Sequence, residues 1–383
     1  MLVLTNGKIM TMEDEETFTG SIVIEEGKIK DIGKDIEIPA NCQEIDVTGK
    51  VVMPGIIDAH THLGIGEEGL GWEGRDYNEM TDPITPHLRA IDAINPEDEG
   101  FEEAYKNGIT TVMTGPGSAN VLGGENLVMK TKGKIIDNMI VKNPAGIKAA
   151  FGENPKRVYS EKDKAPSTRM AVAGLLRETL MSVQDYKVKK ENANKNSEPF
   201  SRDIKMESLL RVLDREIPLK VHAHRADDII TAIRIADEFA IEITLEHCTE
   251  GHKVVDKIKE AGLNCIVGPT LTGRVKVELK ELNFKTAGVL ASAGVKVALM
   301  SDHPVIPTYG LPLYAALAFK SGMNPIEALK AITINPAQIL GVDDRIGSLK
   351  TGKDADIVVF SGDPLDVRSQ VEKVIINGEL VKE

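Results

Sequence analysis

The sequence contains two histidines at a spacing that suits metal chelation. They are His60 and His62, at the end of the segment Val52–His62, which reads Val-Met-Pro-Gly-Ile-Ile-Asp-Ala-His-Thr-His. Side chains two residues apart on a β-strand point to the same face, so these two imidazoles can bind one divalent ion together. His-x-His also occurs by chance, with both rings simply hydrogen-bonded at a strand end. The pair therefore predicts a metal site only if further ligands lie nearby.

Further side chains of the ligand type follow other predicted strands. The chain has eight histidines, and two of them, His222 and His247, end apolar segments typical of strands. Asp302 follows the last such segment. Because the carboxyl ends of barrel strands meet at one mouth, where enzyme sites lie, we expect these three side chains to join His60 and His62. Histidines and a carboxylate gathered there predict a metal-binding mouth rather than a packed core.

The elements that must position these residues alternate between strand and helix over most of the chain. This alternation is typical of a parallel sheet closed by crossover helices. The segment 118–147 shows no clear pattern. The predicted strands are Ile109–Thr114, Leu219–His222, Ile241–His247, Cys265–Pro269 and Val295–Ser301, and the predicted helices include Thr168–Asp185, Asp227–Glu238, His252–Ala261 and Lys285–Ala293.

Both ends of the chain have a different sequence pattern, which predicts short strands separated by turns such as Asn6-Gly7. We therefore expect an α/β protein of two domains. Residues 54–345 are predicted to form a (β/α)8 TIM barrel. Residues 1–53 plus 346–383 are predicted to form one small β-sandwich domain, assembled from both termini.

The composition argues against several classes of protein. The chain has 59 acidic and 46 basic residues, a formal charge of −13. Proteins that bind nucleic acid or anionic membranes instead have clustered Lys and Arg. Three widely spaced cysteines form no CxxC motif, no apolar run approaches the ~18 residues of a membrane span, and the start lacks a signal-peptide pattern. We expect a cytoplasmic homo-oligomer that acts on a small molecule, without nucleic-acid or membrane partners.

Several motifs together resemble the metal-dependent amidohydrolase superfamily. They are Pro54-Gly-Ile-Ile-Asp-Ala-His-Thr-His62, the later strand-end histidines, Ser301-Asp302, and two C-terminal segments, Asn335–Gly341 and Gly347–Phe360. The resemblance covers nearly the whole chain and is closest to the imidazolonepropionase-like and prolidase-like members. It implies the barrel fold, the split β domain and hydrolysis of a carbon–nitrogen bond.

The resemblance also implies a ligand set for two divalent ions, which the imidazole-rich ligation suggests are zinc. His60 and His62 would bind one ion, and His222 and His247 would bind the other. Asp302 would be both a metal ligand and the catalytic residue that transfers the proton.

Two points of this ligand set are open. His224 lies two residues after His222; the resemblance favours His222 as the ligand and leaves His224 facing the substrate. The carboxylate that bridges the two ions is either Glu153 or a carboxylated Lys148. We expect Glu153 to be the bridging metal ligand, because an unmodified lysine buried beside two dications would be costly.

A substrate class is suggested by the residue three positions after the fifth-strand histidine. Deaminases of the superfamily and imidazolonepropionase have Glu there, whereas this chain has Arg225 if His222 is the ligand and Asp227 if His224 is. An arginine at the mouth suits a substrate carboxylate, and Arg169 lies in a segment that can reach the same pocket. We expect hydrolysis of an amide or peptide bond in a small anionic substrate, such as a dipeptide or an N-acyl amino acid.

Two alternatives are weighed against this prediction. The first is a cyclic amidohydrolase acting on a hydantoin, a lactam or an imidazolone. The second is a catalytically silent amidohydrolase-like scaffold, which the intact ligand set disfavours.

Overall fold

The computed structural model describes all 383 residues, whose sixteen strands form two eight-stranded sheets. Strands β1–β5 and β14–β16 form the terminal sheet, and β6–β13 form the central sheet. In chain order the strands are β1 (Leu2–Met10), β2 (Thr17–Glu25), β3 (Lys28–Gly33), β4 (Gln43–Asp46), β5 (Val51–Pro54), β6 (Ile56–Thr61), β7 (Ile109–Thr114), β8 (Leu122–Lys130), β9 (Ile140–Ala150), β10 (Leu219–Ala223), β11 (Ile243–His247), β12 (Cys265–Val267), β13 (Val297–Leu299), β14 (Ile357–Phe360), β15 (Val371–Ile376) and β16 (Glu379–Lys382).

Helices cover the outside of the central sheet. The α-helices are α1 (Glu99–Lys106), α2 (Ile136–Met139), α3 (Glu153–Ser160), α4 (Arg169–Asn196), α5 (Ile204–Leu213), α6 (Ala226–Phe239), α7 (Val255–Glu260), α8 (Lys285–Ser292), α9 (Leu311–Lys320), α10 (Pro325–Lys330) and α11 (Ile334–Leu340). Short 3-10 helices cover Ala90–Asp92, Gly251–Lys253, Val277–Leu279 and Thr308–Gly310. None of the helices combines the length and the apolar character needed to cross a bilayer.

The central sheet is a nearly closed barrel. Its strands pair in chain order from β6 to β13. Two backbone hydrogen bonds bridge the gap between the first and last strands just beyond the paired residues. Asp302 N donates to His60 O at 3.1 Å, and His62 N donates to His303 O at 2.8 Å. The mouth of the barrel is therefore tied together by the same segments that supply His60, His62 and Asp302.

One strand of the barrel departs from the predicted parallel arrangement. Strand β8 is antiparallel to both β7 and β9, whereas the other neighbouring pairs are parallel. The connection 115–121 is too short for a crossover helix, which needs about a dozen residues, so the chain turns back as a hairpin. This region is the one in which the sequence showed no clear pattern.

Helix α4 is longer than the sequence predicts. Helix α4 begins at Arg169, with the side chain of Thr168 accepting from Ala171 N, and it continues to Asn196. The prediction stopped at Asp185. The polar residues beyond that point continue the helix as a partly solvated extension, and Ser197 ends it in a left-handed conformation.

The terminal sheet joins both ends of the chain. The first half of β1 pairs in parallel with β4 and its second half pairs with β5, which in turn pairs with β14. Thirteen buried residues from both termini, including Leu4, Ile24, Val52 and Ile357, form its core. The sheet is one hydrogen-bonded unit that folds around this core, so the predicted sandwich is seen in part. The domain boundaries at residues 53 and 346 stay a prediction.

Candidate active site

The first group of ligand-type side chains consists of His60, His62 and Asp302, whose ligand atoms lie within 4.8 Å of one another. His60 lies in β6, His62 directly follows that strand, and Asp302 follows β13. Oδ1 of Asp302 is 3.2 Å from Nε2 of His60 and 3.3 Å from Nε2 of His62. The structure thus brings Asp302 to the two histidines that the sequence predicted for one ion.

The second group consists of three buried histidines, His222, His224 and His247, whose ligand atoms also lie within 4.8 Å of one another. Ring centroids are 4.2 Å apart for His222 and His247 and 4.5 Å apart for His224 and His247. Both ring nitrogens of His222 lack a partner, whereas Nδ1 of His224 is 2.8 Å from Oγ1 of Thr249. The structure therefore places both candidates beside His247, with His222 having two free nitrogens.

Backbone carbonyls fix the orientation of two of the rings. Nδ1 of His62 donates to the carbonyl of Gly115 at 2.6 Å, and Nδ1 of His247 donates to that of Gly268 at 2.9 Å. A carbonyl oxygen can only accept, so Nδ1 has the proton and Nε2 keeps its lone pair. Such contacts are the usual way in which ligating histidines are held.

Burial also keeps most of these imidazoles neutral. It lowers the pKa of His62, of His222 and His224, and of His247 to about 3. The pKa of His60 is raised, because neighbouring carboxylates outweigh the effect of burial. Metal binding needs deprotonated ligands, and buried nitrogens without partners are what an ion would satisfy. The residues present therefore fit divalent metal ions.

A buried lysine reaches the first group from β9. Nζ of Lys148 lies 3.3 Å from Nε2 of His60 and donates to Oε2 of Glu246 at 3.2 Å. The same oxygen of Glu246 is 2.7 Å from Nδ1 of His60. A second buried lysine, Lys220, is 3.6 Å from Oε1 of Glu246. Two lysines and one carboxylate thus lie below the histidines, inside the barrel.

Glu153, which the sequence favoured as the bridging ligand, is not brought to either group. It begins helix α3, where its backbone N–H donates to Oε1 of Glu278 at 2.6 Å. The prediction placed it at a strand end, but β9 ends earlier, at Ala150. Lys148, the alternative, is the residue whose side chain points into the barrel.

The two arginines predicted to bind substrate lie outside the cavity above the histidines. Arg225 forms a two-point ion pair with Asp227, with both distances 2.8 Å. Arg169 bonds to Asp228 at 3.0 Å and to Glu278 at 3.0 Å. Both guanidinium groups are therefore occupied by carboxylates of the chain itself.

The cavity above the metal-binding groups has a volume of about 290 Å³. Its walls include five polar residues that the sequence did not single out: Tyr77, Asn78, Asn154, Arg157 and Lys276. Tyr77 stacks on His62, with ring centroids 5.2 Å apart. These residues come from loops and from helix α3, where no periodic pattern marks a residue as facing the mouth.

Two of these candidate ligands also have unusual backbone geometry. His247 and Asp302 have φ values of 73° and 56°, in the left-handed region that non-glycine residues rarely adopt. Such conformations cost about 1–3 kcal/mol each and cluster at functional sites. Both residues lie where a strand ends and the chain turns at the mouth.

Two groups of candidate metal ligands lie at the mouth of an eight-stranded barrel, an arrangement typical of metal-dependent hydrolases. A sequence model of the amidohydrolase family matches residues 51–381, and the chain belongs to that family. It is therefore a hydrolase that acts on carbon–nitrogen bonds, and its family generally uses divalent metal ions. The predicted family is confirmed, including its likeness to imidazolonepropionases and prolidases.

Similar proteins cover nearly the whole chain. The amidohydrolase tasK of Hapsidospora irregularis is 28% identical over 94% of this chain, which spans 39% of that protein. The imidazolonepropionase of Symbiobacterium thermophilum is 26% identical, covering 89% of this chain and 84% of the relative. The crystal structure of an amidohydrolase from Thermotoga maritima is 46% identical with a TM-score of 0.97, covering 100% of this chain and 99% of that one. A prolidase complexed with N-methylphosphonate-L-proline shares the fold, at 18% identity and a TM-score of 0.61.

Proposed function

We propose that the protein hydrolyses an amide or peptide bond of a small anionic substrate at a centre of two divalent ions. The observation that supports this most is the pair of three-residue groups at one mouth, each with ligand atoms within 4.8 Å of one another and with every histidine buried. Zinc is the metal that imidazole-rich ligation favours. The proposed metal ligands are His60, His62, His222, His247, Asp302 and Lys148.

Lys148 is proposed as the bridging ligand in place of Glu153. Addition of its neutral Nζ to carbon dioxide forms a nitrogen–carbon bond and releases a proton, which converts a cation into a carbamate. The position supports this assignment, since Nζ already lies 3.3 Å from Nε2 of His60. Glu246 and Lys220 supply opposite charges beneath it, so the barrel interior holds a counter-charge for either form of Lys148.

When bound, divalent ions supply an acidified water and a Lewis acid for the substrate carbonyl. Asp302 is the proposed proton acceptor in this reaction. Burial alone raises the pKa of its carboxyl, but the contacts with His60 and His62 outweigh that effect and hold the pKa well below its usual range. The carboxylate is therefore ionised, and it can take a proton from the attacking water and pass it to the leaving nitrogen.

His224 is proposed to face the substrate rather than to hold metal. Its Nδ1 is engaged by Oγ1 of Thr249, and its ring lines the cavity. The predictions of a homo-oligomer, of no nucleic-acid partner and of a cytoplasmic location stay predictions from the sequence.

A second candidate is hydrolysis of a cyclic amide. The observation in its favour is the set of relatives named imidazolonepropionase, which are 24–27% identical to this chain. Against it, the residue three positions after His222 is Arg225, which is paired with Asp227 and lies outside the cavity.

The experiment is a screen of zinc-reconstituted protein against N-acetyl-L-amino acids, dipeptides, hydantoin and an imidazolone. We expect release of free amino acid from the acyclic substrates, loss of that activity with a chelator, and its return with zinc. Turnover of the cyclic compounds alone would replace the proposal with the second candidate. A metal-loaded protein inactive on every compound would refute both.

A further inference from the structure

We propose that Arg157 and Lys276 form a carboxylate-binding subsite at the rim of the metal-site cavity, so that the substrate is an N-acyl amino acid or a dipeptide with a free α-carboxylate. This inference rests on the proposed function and names the residues that recognise its substrate. It replaces the role that the sequence gave to Arg225 and Arg169.

The charges of the cavity wall favour an anion. Among the lining residues, Arg157 and Lys276 have the only lysine or arginine side chains, and Asp302 has the only carboxylate. That carboxylate is engaged by His60 and His62. Lys276 is paired with Glu278 behind the wall, whereas Arg157 has no acidic partner, so the wall keeps an excess of positive charge that would attract an anionic ligand.

Arg157 differs from the other two arginines because it has no acidic partner. Its side chain is exposed at the cavity and forms no ion pair within the chain. Arg169 and Arg225 are instead occupied by Asp228, Glu278 and Asp227. A free guanidinium offers a planar fork that matches a carboxylate at two points.

Lys276 is held in place with one hydrogen-bond donor to spare. Its Nζ donates to Oδ1 of Asn154 at 3.1 Å and lies 3.3 Å from Oε2 of Glu278. An ammonium has three donors, and the remaining one is available to a ligand in the cavity. The charge of Lys276 also contributes to lowering the pKa of His222 and His247, after the larger effect of burial, which agrees with its position close above the histidines.

Helix α3 brings the two cations to the same place. Asn154 and Arg157 are three residues apart on α3 and therefore share one face of that helix, and Asn154 is the residue that bonds to Lys276. Nδ2 of Asn154 in turn donates to Oγ of Ser118 at 2.7 Å. The loop after β7, helix α3 and the loop after β12 are thus linked, so the subsite is formed before a ligand arrives.

The test uses zinc-loaded protein and two probes that cannot be hydrolysed at the amide, N-methylphosphonyl-L-alanine and its carboxamide. Their dissociation constants are measured by calorimetry. We expect Arg157→Gln and Lys276→Gln each to weaken binding of the carboxylate probe by roughly 10- to 100-fold, as for loss of a charge-assisted hydrogen bond. The carboxamide should bind each variant within about twofold of wild type, because it has no carboxylate to lose. Arg177→Gln, which removes an arginine paired with Glu238 on the surface, is the matched control.

Arg225→Gln tests the assignment made from the sequence, in which Arg225 binds the substrate carboxylate. The proposal is overturned if Arg225→Gln selectively weakens the carboxylate probe while Arg157→Gln does not, or if Arg157→Gln weakens both probes equally. Arg157 is exposed, so its variant tests the subsite even if Lys276→Gln unfolds. This test measures binding rather than turnover, so it is independent of the hydrolysis screen. A protein that hydrolyses none of the compounds refutes the proposed function. Variants that do not distinguish the carboxylate probe from the carboxamide probe refute the subsite.

Discussion

Oε2 of Glu246 lies 2.7 Å from Nδ1 of His60, and both side chains are buried inside the barrel. The same oxygen accepts a hydrogen bond from Lys148, and Oε1 faces Lys220. Burial by itself raises the pKa of Glu246, but the charges of His60 and Lys148 outweigh it and hold the pKa well below its usual range. One ionised carboxylate thus lies against a candidate metal-binding imidazole and is the shared acidic neighbour of two buried lysines.

The first prediction is that Glu246→Gln weakens metal binding and destabilises the fold. Loss of an outer partner of a ligating histidine typically costs 10- to 100-fold in metal affinity, which a zinc titration will measure. The free energy of unfolding of the metal-free protein should fall by about 3–5 kcal/mol, because the substitution leaves buried lysine charge without its carboxylate partner. Denaturant unfolding measures this change.

The matched control for that variant is Glu238→Gln, which breaks only the surface pair with Arg177. Its effect on the free energy of unfolding should stay within about 1 kcal/mol. Equal effects of the two substitutions would show that Glu246 has no special role in the site.

The second prediction concerns the proton transferred by Asp302. Asp302→Asn keeps an oxygen ligand but cannot accept a proton, so kcat should fall by about 10²- to 10⁴-fold. The zinc content, measured by elemental analysis, should stay near that of wild type. A variant that retains kcat would show that another group takes the proton.

The third prediction links acid stability to His303, a buried residue whose two ring nitrogens have no partner. Burial lowers its pKa from the ordinary 6.5 to about 4. Between those values the unfolded chain takes up a proton that the folded chain does not, so this residue makes stability fall as the pH falls from 6.5 towards 4.

Replacing His303 with Asn should therefore make the pH dependence less steep. The free energy of unfolding of the metal-free protein, measured by denaturant unfolding between pH 6 and pH 4.5, should change by about 1.4 kcal/mol less per pH unit. His252→Asn, at a partly exposed histidine after β11, is the matched control. An unchanged slope in the His303 variant would refute the assignment.

Strand periodicity and residue type together predicted which histidines meet at the mouth of the barrel, where the structure gathers them; that they bind metal stays a prediction. His60, His222 and His247 each lie at or near the end of an apolar strand, and the barrel brings strand ends to one mouth whatever the loops do. The antiparallel direction of β8 was not predicted, because an apolar segment has the same sequence pattern in a parallel strand as in an antiparallel one. Its direction depends on the length of the connection before it.

The cavity wall was predictable only in part, because its side chains come from loops and from one short helix. Arg225 looked available in the sequence, but Asp227, two residues later, occupies its guanidinium. Arg157 lies in helix α3, which the sequence did not predict, and this helix borders the cavity. The sequence left Lys148 and Glu153 open as the bridge, and the position of Lys148 in β9, with Nζ 3.3 Å from Nε2 of His60, supports the proposal that Lys148 is the bridging ligand.

The fourth prediction separates those two candidates for the bridge. A carbamate on Lys148 needs carbon dioxide, so reconstitution of the metal-free protein with zinc should be faster and more complete with bicarbonate. Glu153→Gln should retain this dependence, because Glu153 belongs to neither group of ligands. Reconstitution that is indifferent to bicarbonate, together with metal loss in Glu153→Gln, would restore the assignment made from the sequence.

The number of zinc ions per chain tests the central claim, a two-metal centre bridged by Lys148, most directly. Elemental analysis of protein reconstituted with zinc and bicarbonate should approach two ions per chain for wild type and one or fewer for Lys148→Met. A wild-type ratio that stays at one after saturation, or a Lys148→Met variant that still binds two ions, would contradict the account.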